Sequence, residues 1–210
     1  MIPDMALSTA LSAAAVLLVW MVILFDLSAR LRRIGERLSL LQRQIPDSRR
    51  FGLWAYCGLK GTLSGMPFVM TVTSGGNRSR PKIVISCRQK TPFKLIILHR
   101  ESQSDFFTRL AHVPVMSALV KTNDPYFDER FSIYSHNTTD IAGYFYNTGR
   151  KDAVRGIFEL GYNLLEFKGT EVTAQKYEYD TERDLHPDAL KAVLGKVIVL
   201  AKGFRKGGDR

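Results

Sequence analysis

One group of acidic residues is tight enough in the sequence to do chemistry: Asp124, Asp128 and Glu129. Carboxylates at this spacing could hold a metal ion or act as a general acid–base pair. The Asp124-Pro125 step, however, is typical of a turn. In such a turn Phe127 and Phe131 face the core and the acids stay in solvent. We therefore predict a structural role for these carboxylates.

The other residue types that carry chemistry lack a catalytic or metal-binding spacing. The histidines have neither metal-ligand spacing nor a neighbouring nucleophile motif: His99, His112, His136 and His186. Cys57 and Cys87 are separated by 29 residues, which favours two reduced thiols over a disulfide or a zinc site. Three glycines form no phosphate-binding or dinucleotide motif and are better explained by strand bulges and a turn: Gly58, Gly61 and Gly65. We predict no catalytic residue, metal or cofactor, and expect that the chain is not an enzyme.

Basic residues give the strongest functional signal, and seven of them fall within 23 positions: Arg78, Arg80, Lys82, Arg88, Lys90, Lys94 and Arg100. Such a cluster could bind anionic lipid headgroups, bind nucleic acid, or simply solvate a β-surface. Nucleic-acid binding favours interleaved exposed aromatic residues, and Phe93 is the only aromatic residue inside the cluster. Lipid binding and plain solvation therefore remain open, and nucleic acid is not an expected partner.

The positive charge is confined to one part of the chain. The net charge is −2 over residues 1–26, +5 over 27–50, +7 over 51–110 and zero over 111–210. This asymmetry indicates a basic surface next to the N-terminal segment and a charge-balanced second half.

The N-terminal segment has the length of a membrane span. Residues 5–25 contain neither a charge nor a proline, and at about 1.5 Å per residue they cover about 31 Å, the thickness of a bilayer core. A cleaved signal peptide would have a basic start and small residues at its end. Here the alanines come first and bulky residues last, so we expect the span to be retained. The bases that follow it are Arg30, Arg32, Arg33 and Arg37, and the positive-inside rule places them in the cytoplasm.

A heptad pattern continues from the apolar segment into the charged one, through Leu27, Leu31, Ile34, Leu38, Leu41 and Ile45. Such a seam could form a homo-oligomeric coiled coil. It could equally be a stalk that packs on its own domain or lies against lipid headgroups. Pro46-Asp47-Ser48 predicts the end of the helix and a short hinge.

The remaining chain predicts an α+β fold, because strands come first and helices are mixed in later. The first part predicts a four-strand antiparallel meander over residues 51–100. Later come short helices at 138–147 and 150–161, a hairpin turning near Gly169, and a C-terminal helix that begins at Pro187.

The run TNDPYFDERFSIYS, residues 122–135, resembles a recurrent pattern in prokaryotic, often membrane-anchored domains of unknown function. In that pattern an Asp-Pro turn and an FDxxF-like strand precede two short helices, a hairpin and a C-terminal helix. The matching positions here are Asp124, Pro125, Phe127, Asp128 and Phe131, followed by 138–160, 163–179 and 186–202. The resemblance implies this order of elements over residues 51–204, and it implies no activity.

The sequence thus predicts a single transmembrane helix (1–26), a basic juxtamembrane amphipathic helix with a hinge (27–50), a cytoplasmic α+β domain (51–204) and a basic flexible tail (205–210). The predicted location is the inner or plasma membrane, with the N-terminus outside. The expected function is a binding, scaffolding or regulatory module that rests on anionic lipid and meets a protein partner. The alternatives are a membrane-anchored enzyme with an unrecognised site and an accessory subunit of a membrane complex.

Overall fold

A computed structural model describes residues 3–53, 56–75, 80–102, 118–135 and 141–204. The helices in these ranges are α1 (Pro3–Gln44), α2 (Pro125–Arg130), α3 (Ile141–Tyr144), α4 (Thr148–Glu159), α5 (Thr181–Asp184) and α6 (Pro187–Lys202). The strands are β1 (Ser48–Leu53), β2 (Tyr56–Leu63), β3 (Met66–Thr73), β4 (Lys82–Arg88), β5 (Lys94–His99), β6 (Ala118–Val120), β7 (Phe131–Ser135), β8 (Leu164–Lys168) and β9 (Glu171–Tyr177). A 3-10 helix, Arg100–Ser102, follows β5.

The described strands form one antiparallel sheet in the order β1-β2-β3-β4-β9-β8-β5-β7-β6. The predicted α+β class with an antiparallel meander is confirmed, and β1 to β4 are its consecutive strands. The fourth strand predicted for the meander, β5, does not lie beside β4. The β8–β9 hairpin separates them, because β4 pairs with β9 and β5 pairs with β8.

The core lies on one face of this sheet. Alternate side chains of β3 and β4 are fully or almost fully buried there: Phe68, Met70, Val72, Ile83, Ile85 and Cys87. Helices α1, α4 and α6 cover this face in a single apolar cluster. Every second side chain of a strand is apolar and faces the helices, and each helix turns an apolar stripe towards the sheet. The fold therefore consists of one layer of helices packed on one sheet.

Helix α1 runs without interruption from the apolar segment into this core. Side chains from Ala14 to Asp26 are exposed, whereas Ile34, Leu38, Leu41 and Ile45 are at most 2% exposed. Burial of each of these four side chains contributes about 1.5–3 kcal/mol to stability. The second half of α1 is thus part of the folded domain.

The seam of α1 faces the chain's own strands and α6. Its buried residues, Ile34, Leu38, Leu41 and Ile45, are therefore not available to a second copy, so they do not form the possible homo-oligomeric coiled coil, whereas Leu27 and Leu31 are only partly buried. The structure agrees with the alternative given in the sequence analysis, in which this helix packs on its own domain. The residues between the heptad positions are mostly polar and face solvent, with Leu40 an exposed apolar exception.

The predicted hinge after α1 is a tight turn into β1. The backbone N–H of Ser48 donates to the carbonyl of Ile45 at 3.1 Å, and the amide of Gln42 donates to the carbonyl of Ser48 at 3.1 Å. Gly61 pairs in register with both neighbouring strands, so it is not a bulge. A Cβ at this position would lie 2.5 Å from the carbonyl oxygen of Asp47, so glycine permits the close approach of the turn.

The second half of the chain follows the predicted order with one exception. Helix α4 ends before Gly161, which has φ +78°, and the β8–β9 hairpin turns at Gly169, which has φ +86°. Helix α6 begins at Pro187, as predicted, and buries one apolar face that includes Leu190, Val193 and Val197. The exception is the FDxxF-like segment, which forms helix α2 before strand β7 because Asp124 caps it. The start of the helix predicted at 138–147 and the tail predicted at 205–210 lie outside the described residues.

Candidate functional site

The basic residues singled out from the sequence lie at two opposite ends of the sheet. Lys82 begins β4, opposite Thr73 and Tyr177, whereas Arg88 ends it, opposite Glu171. At about 3.3 Å per residue these ends are about 20 Å apart. The cluster is therefore not one surface, and only its first part lies near the exposed half of α1.

The first end, which we call the anchor-proximal end, comprises Arg30, Arg32, Arg33, Arg80 and Lys82. Tyr179 contacts the end of β3 here, because its hydroxyl donates to the carbonyl of Thr73 at 3.3 Å. Burial raises the pKa of Tyr179 to about 12, and the nearby Arg30 guanidinium opposes that rise. The end of β3 thus lies level with the point where α1 leaves the domain. Arg78 lies outside the described residues.

The bases of the anchor-proximal end differ in how far they are neutralised. Arg30 pairs with Asp26 at 2.9 Å, and Arg80 pairs with Glu178 at 2.6 Å. Arg32 and Arg33 are exposed and have no ion pair with a described residue. Farther along α1, Arg37 forms an ion pair with Glu182. Arg32 and Arg33 are therefore exposed charges that an external anion could meet without displacing a described partner, and Lys82, which is half-buried, also has no ion pair with a described residue.

The second end, which we call the anchor-distal end, contains Arg88, Lys90 and Lys94. These side chains are exposed, and a shallow groove of about 530 Å³ beside them is lined by Arg49, Lys60 and Arg88 together with Asp47. The groove is open, and the buried polar side chain in its lining, Ser48, already donates its hydroxyl to the carbonyl of Ile45. It supports the solvated β-surface interpretation for this part of the cluster.

Two of the three residues in the acidic group, Asp124 and Asp128, have structural roles, and Glu129 is exposed. Asp124 caps α2 by accepting from the backbone N–H of Phe127 at 3.1 Å. Its hydrogen bond from Lys151 and that from Phe127 hold the pKa of its carboxyl below the usual value. Asp128 accepts from the backbone N–H and the hydroxyl of Thr122 at 3.0 and 2.9 Å. Phe127 is 1% exposed, in the core as predicted. These carboxylates are occupied by turn contacts.

The histidines and cysteines in the described ranges are dispersed. The ring of His99 packs against Phe131 and Phe158, with centroids 5.5 and 6.2 Å apart. His186 is exposed at the start of α6. Burial raises the pKa of the Cys87 thiol to about 12, and both thiols are free. In the described part of the chain, no three potential metal ligands of these types cluster. His112 and His136 lie outside that part.

A site that the sequence analysis missed lies between α4, β9 and α6. Lys176 and Asp184 form an ion pair at 2.9 Å, and their side chains are 7% and 6% exposed. The hydroxyl of Tyr162 is buried beside them without a hydrogen-bond partner among the described residues, which costs about 1–3 kcal/mol. The sequence pattern of β9 could have revealed this buried lysine, because Lys176 follows Val172 and Ala174 on the apolar face of the strand. A lysine at a core position needs an acidic partner.

One described helix is long and apolar enough to cross a membrane. Its candidate stretch is Ala14–Gln44, in which the best 18-residue window has a mean hydropathy of 2.0 and is not buried. Length and composition of this kind fit a membrane span and also a signal sequence.

No protein-family model and no curated protein matches the sequence. The structure is similar to the crystal structure of the mycobacterial trehalose monomycolate transport factor A, TtfA, with a TM-score of 0.47 and 9% sequence identity. The similarity covers 72% of this chain and 75% of that chain.

Proposed function

We propose that this chain is a membrane-anchored docking module, in which a retained N-terminal span holds an α+β domain against the anionic face of the membrane. The domain binds or scaffolds a partner and does not catalyse a reaction. The observation that carries this proposal is the continuity of α1, whose exposed half has the composition of a span and whose other half is core. One helix therefore sets both the attachment and the orientation of the domain.

The anchor-proximal end is the part of the domain that rests on lipid. Each base near an anionic surface contributes about 1 kcal/mol, and Arg32 and Arg33 have no competing ion pair with a described residue. Because α1 reaches the bilayer immediately before them, these two side chains lie within a turn or two of the headgroups. The anchor-distal end points away from the membrane and remains available to a protein partner.

The cytoplasm is the side on which the domain lies. The proposal is supported by the positive-inside rule, since residues 1–26 contain no Lys or Arg whereas residues 27–50 contain seven. Two free thiols fit a reducing compartment.

Charge reversal tests the lipid contact with a matched control. We expect Arg32→Glu with Arg33→Glu to weaken binding of residues 27–210 to vesicles of phosphatidylcholine and phosphatidylglycerol at low salt. Loss of two attractive charges of about 1 kcal/mol each corresponds to about a 30-fold loss of affinity. Arg88→Glu with Lys90→Glu changes the net charge equally at the other end and should retain most of the binding. Co-flotation measures both.

Two outcomes would contradict the lipid contact. One is equal loss in both double variants, which would mean that only the net charge matters. The other is no gain in flotation of the unmodified fragment when phosphatidylglycerol is added to phosphatidylcholine. Circular dichroism of each variant checks that the fold is retained.

A further inference from the structure

The half-open cavity around Lys176 is distinct from the membrane-facing end, and we propose that it binds a small carboxylate with an apolar tail. The cavity has a volume of about 300 Å³ and lies between the end of α4, strand β9, and helices α5 and α6. That volume is at the lower limit of small-molecule sites. The inference is independent of the proposed membrane docking.

The buried carboxylate of this cavity, Asp184, is already occupied. Asp184 accepts from Lys176 and from Nε of Arg183 at 2.9 Å each through Oδ1. Its Oδ2 accepts from the backbone N–H of Asp180 at 2.9 Å. Burial alone would raise the pKa of Asp184, but the hydrogen bonds from Arg183, Asp180 and Lys176 outweigh it and hold the pKa below its usual value. Asp184 is thus an ionised, saturated carboxylate rather than a group that awaits a cation.

The donors, in contrast, exceed the acceptors. Lys176 has three N–H bonds and uses two in the described structure, one to Asp184 and one to the carbonyl of Leu160 at 2.9 Å. The buried hydroxyl of Tyr162 has no hydrogen-bond partner among the described residues. A ligand that enters here must therefore bring an acceptor, and a carboxylate accepts from both donors at once.

Donor placement and shape narrow the ligand further. The lining holds two bases, Lys176 and Arg183, and two acids, the saturated Asp184 and the exposed Glu159, so the unused donors rather than a net charge favour an anion. The rest of the lining includes the apolar side chains of Leu160, Ala189 and Val193. An anion with a short hydrocarbon tail matches both ends, whereas a fully polar anion such as phosphate matches only one.

Gly161 keeps the polar end open. A Cβ at this position would lie 2.6 Å from Nζ of Lys176, and the residue has φ +78°. Glycine therefore both closes helix α4 in a left-handed conformation and leaves space beside the ammonium group.

Hexanoate is the probe that tests this site, with hexanamide as its uncharged match. The full chain in lipid nanodiscs is titrated with each compound, and the thermal unfolding midpoint is recorded. We expect hexanoate to raise the midpoint in a saturable way, and hexanamide to need at least a tenfold higher concentration. Tyr162→Phe removes only the hydroxyl and should weaken the hexanoate response at least tenfold. The control, Tyr146→Phe, changes a side chain that is 81% exposed and should respond like the unmodified chain.

Three results would overturn the assignment. They are no saturable response to hexanoate, an equal response to hexanamide, and an unchanged hexanoate response in Tyr162→Phe. Any of them would mean that the hydroxyl is satisfied by water alone or that the cavity does not select a carboxylate. Because the substitution removes an unpaired buried hydroxyl, Tyr162→Phe should fold at least as well as the unmodified chain.

Discussion

At the scale of single residues, the buried pair of Lys176 and Asp184 makes the sharpest prediction. Asp184→Asn leaves the Lys176 ammonium buried without its counter-charge, and we expect the free energy of unfolding to fall by about 3–5 kcal/mol. Asp152→Asn is the matched control, because its ion pair with Arg155 is exposed at the surface and contributes less than about 1 kcal/mol. Urea unfolding of the full chain in mild detergent measures both.

The same pair predicts how stability depends on pH. Because the folded protein lowers the pKa of Asp184, its contribution is complete above the unfolded value of about 3.9 and is lost as the pH falls below it. The stability difference between the unmodified chain and Asp184→Asn should therefore narrow as the pH is lowered through about 4. A difference that stays constant down to pH 3 would show that the carboxylate titrates normally.

The sequence predicted the roles of residues that act within one local segment better than the roles of residues that act between segments. The role of Asp124 in a turn could be predicted, because an Asp-Pro step favours a turn whatever the rest of the chain does. The ion pair of Lys176 could not be predicted, because its partner Asp184 lies on another element and meets it only in the folded chain. Alternation along β9 indicates that Lys176 faces inward, but it does not indicate which acid meets it.

At the scale of elements, α1 is a core helix as well as a candidate span. Leu38→Ala removes a fully buried side chain, and we expect a loss of about 2–5 kcal/mol in the free energy of unfolding. Leu40→Ala, two positions along, changes a side chain that is 42% exposed and should cost less than about 0.5 kcal/mol. Near-equal losses, measured by urea unfolding in mild detergent, would mean that α1 does not pack on the sheet as described.

The periodicity of the sequence predicted most elements but not their pairing. The C-terminal helix, the hairpin at Gly169 and the meander each depend on contacts within a short stretch. The insertion of β8 and β9 between β4 and β5 depends on pairing across about 80 residues, for which a single sequence carries little local signal. The surface that packs against the heptad seam could not be predicted for the same reason, since periodicity defines an apolar stripe but not what covers it.

At the scale of the whole molecule, the folded unit begins within α1 rather than at residue 51. A fragment of residues 27–204 retains every buried side chain of α1, and we expect it to unfold cooperatively. A fragment of residues 51–204 lacks Ile34, Leu38, Leu41 and Ile45 and most of the first turn into β1, so its sheet face is uncovered. We expect that fragment to aggregate or to lack a cooperative transition by circular dichroism. Equal cooperativity of the two would mean that α1 is dispensable to the domain.

A separate prediction concerns whether the N-terminal span is retained in the membrane. The full chain should stay with membranes after extraction in alkaline carbonate, because about 20 apolar residues cross the bilayer core. A tag at Arg210 should be reachable only after the cells are opened. Release by carbonate, or labelling of the tag on intact cells, would contradict the anchored or the cytoplasmic part of the proposal.

Because α1 enters the core without a flexible linker, the domain has no independent rotation relative to its span. From Leu27 to Ile45 the helix measures about 27 Å. A change of about 20° in span tilt, which a change in bilayer thickness can produce, displaces the Ile45 end sideways by about 9 Å. In the proposed membrane-anchored arrangement the helix would therefore act as a lever, and the anchor-distal end would shift with the thickness of the surrounding lipid.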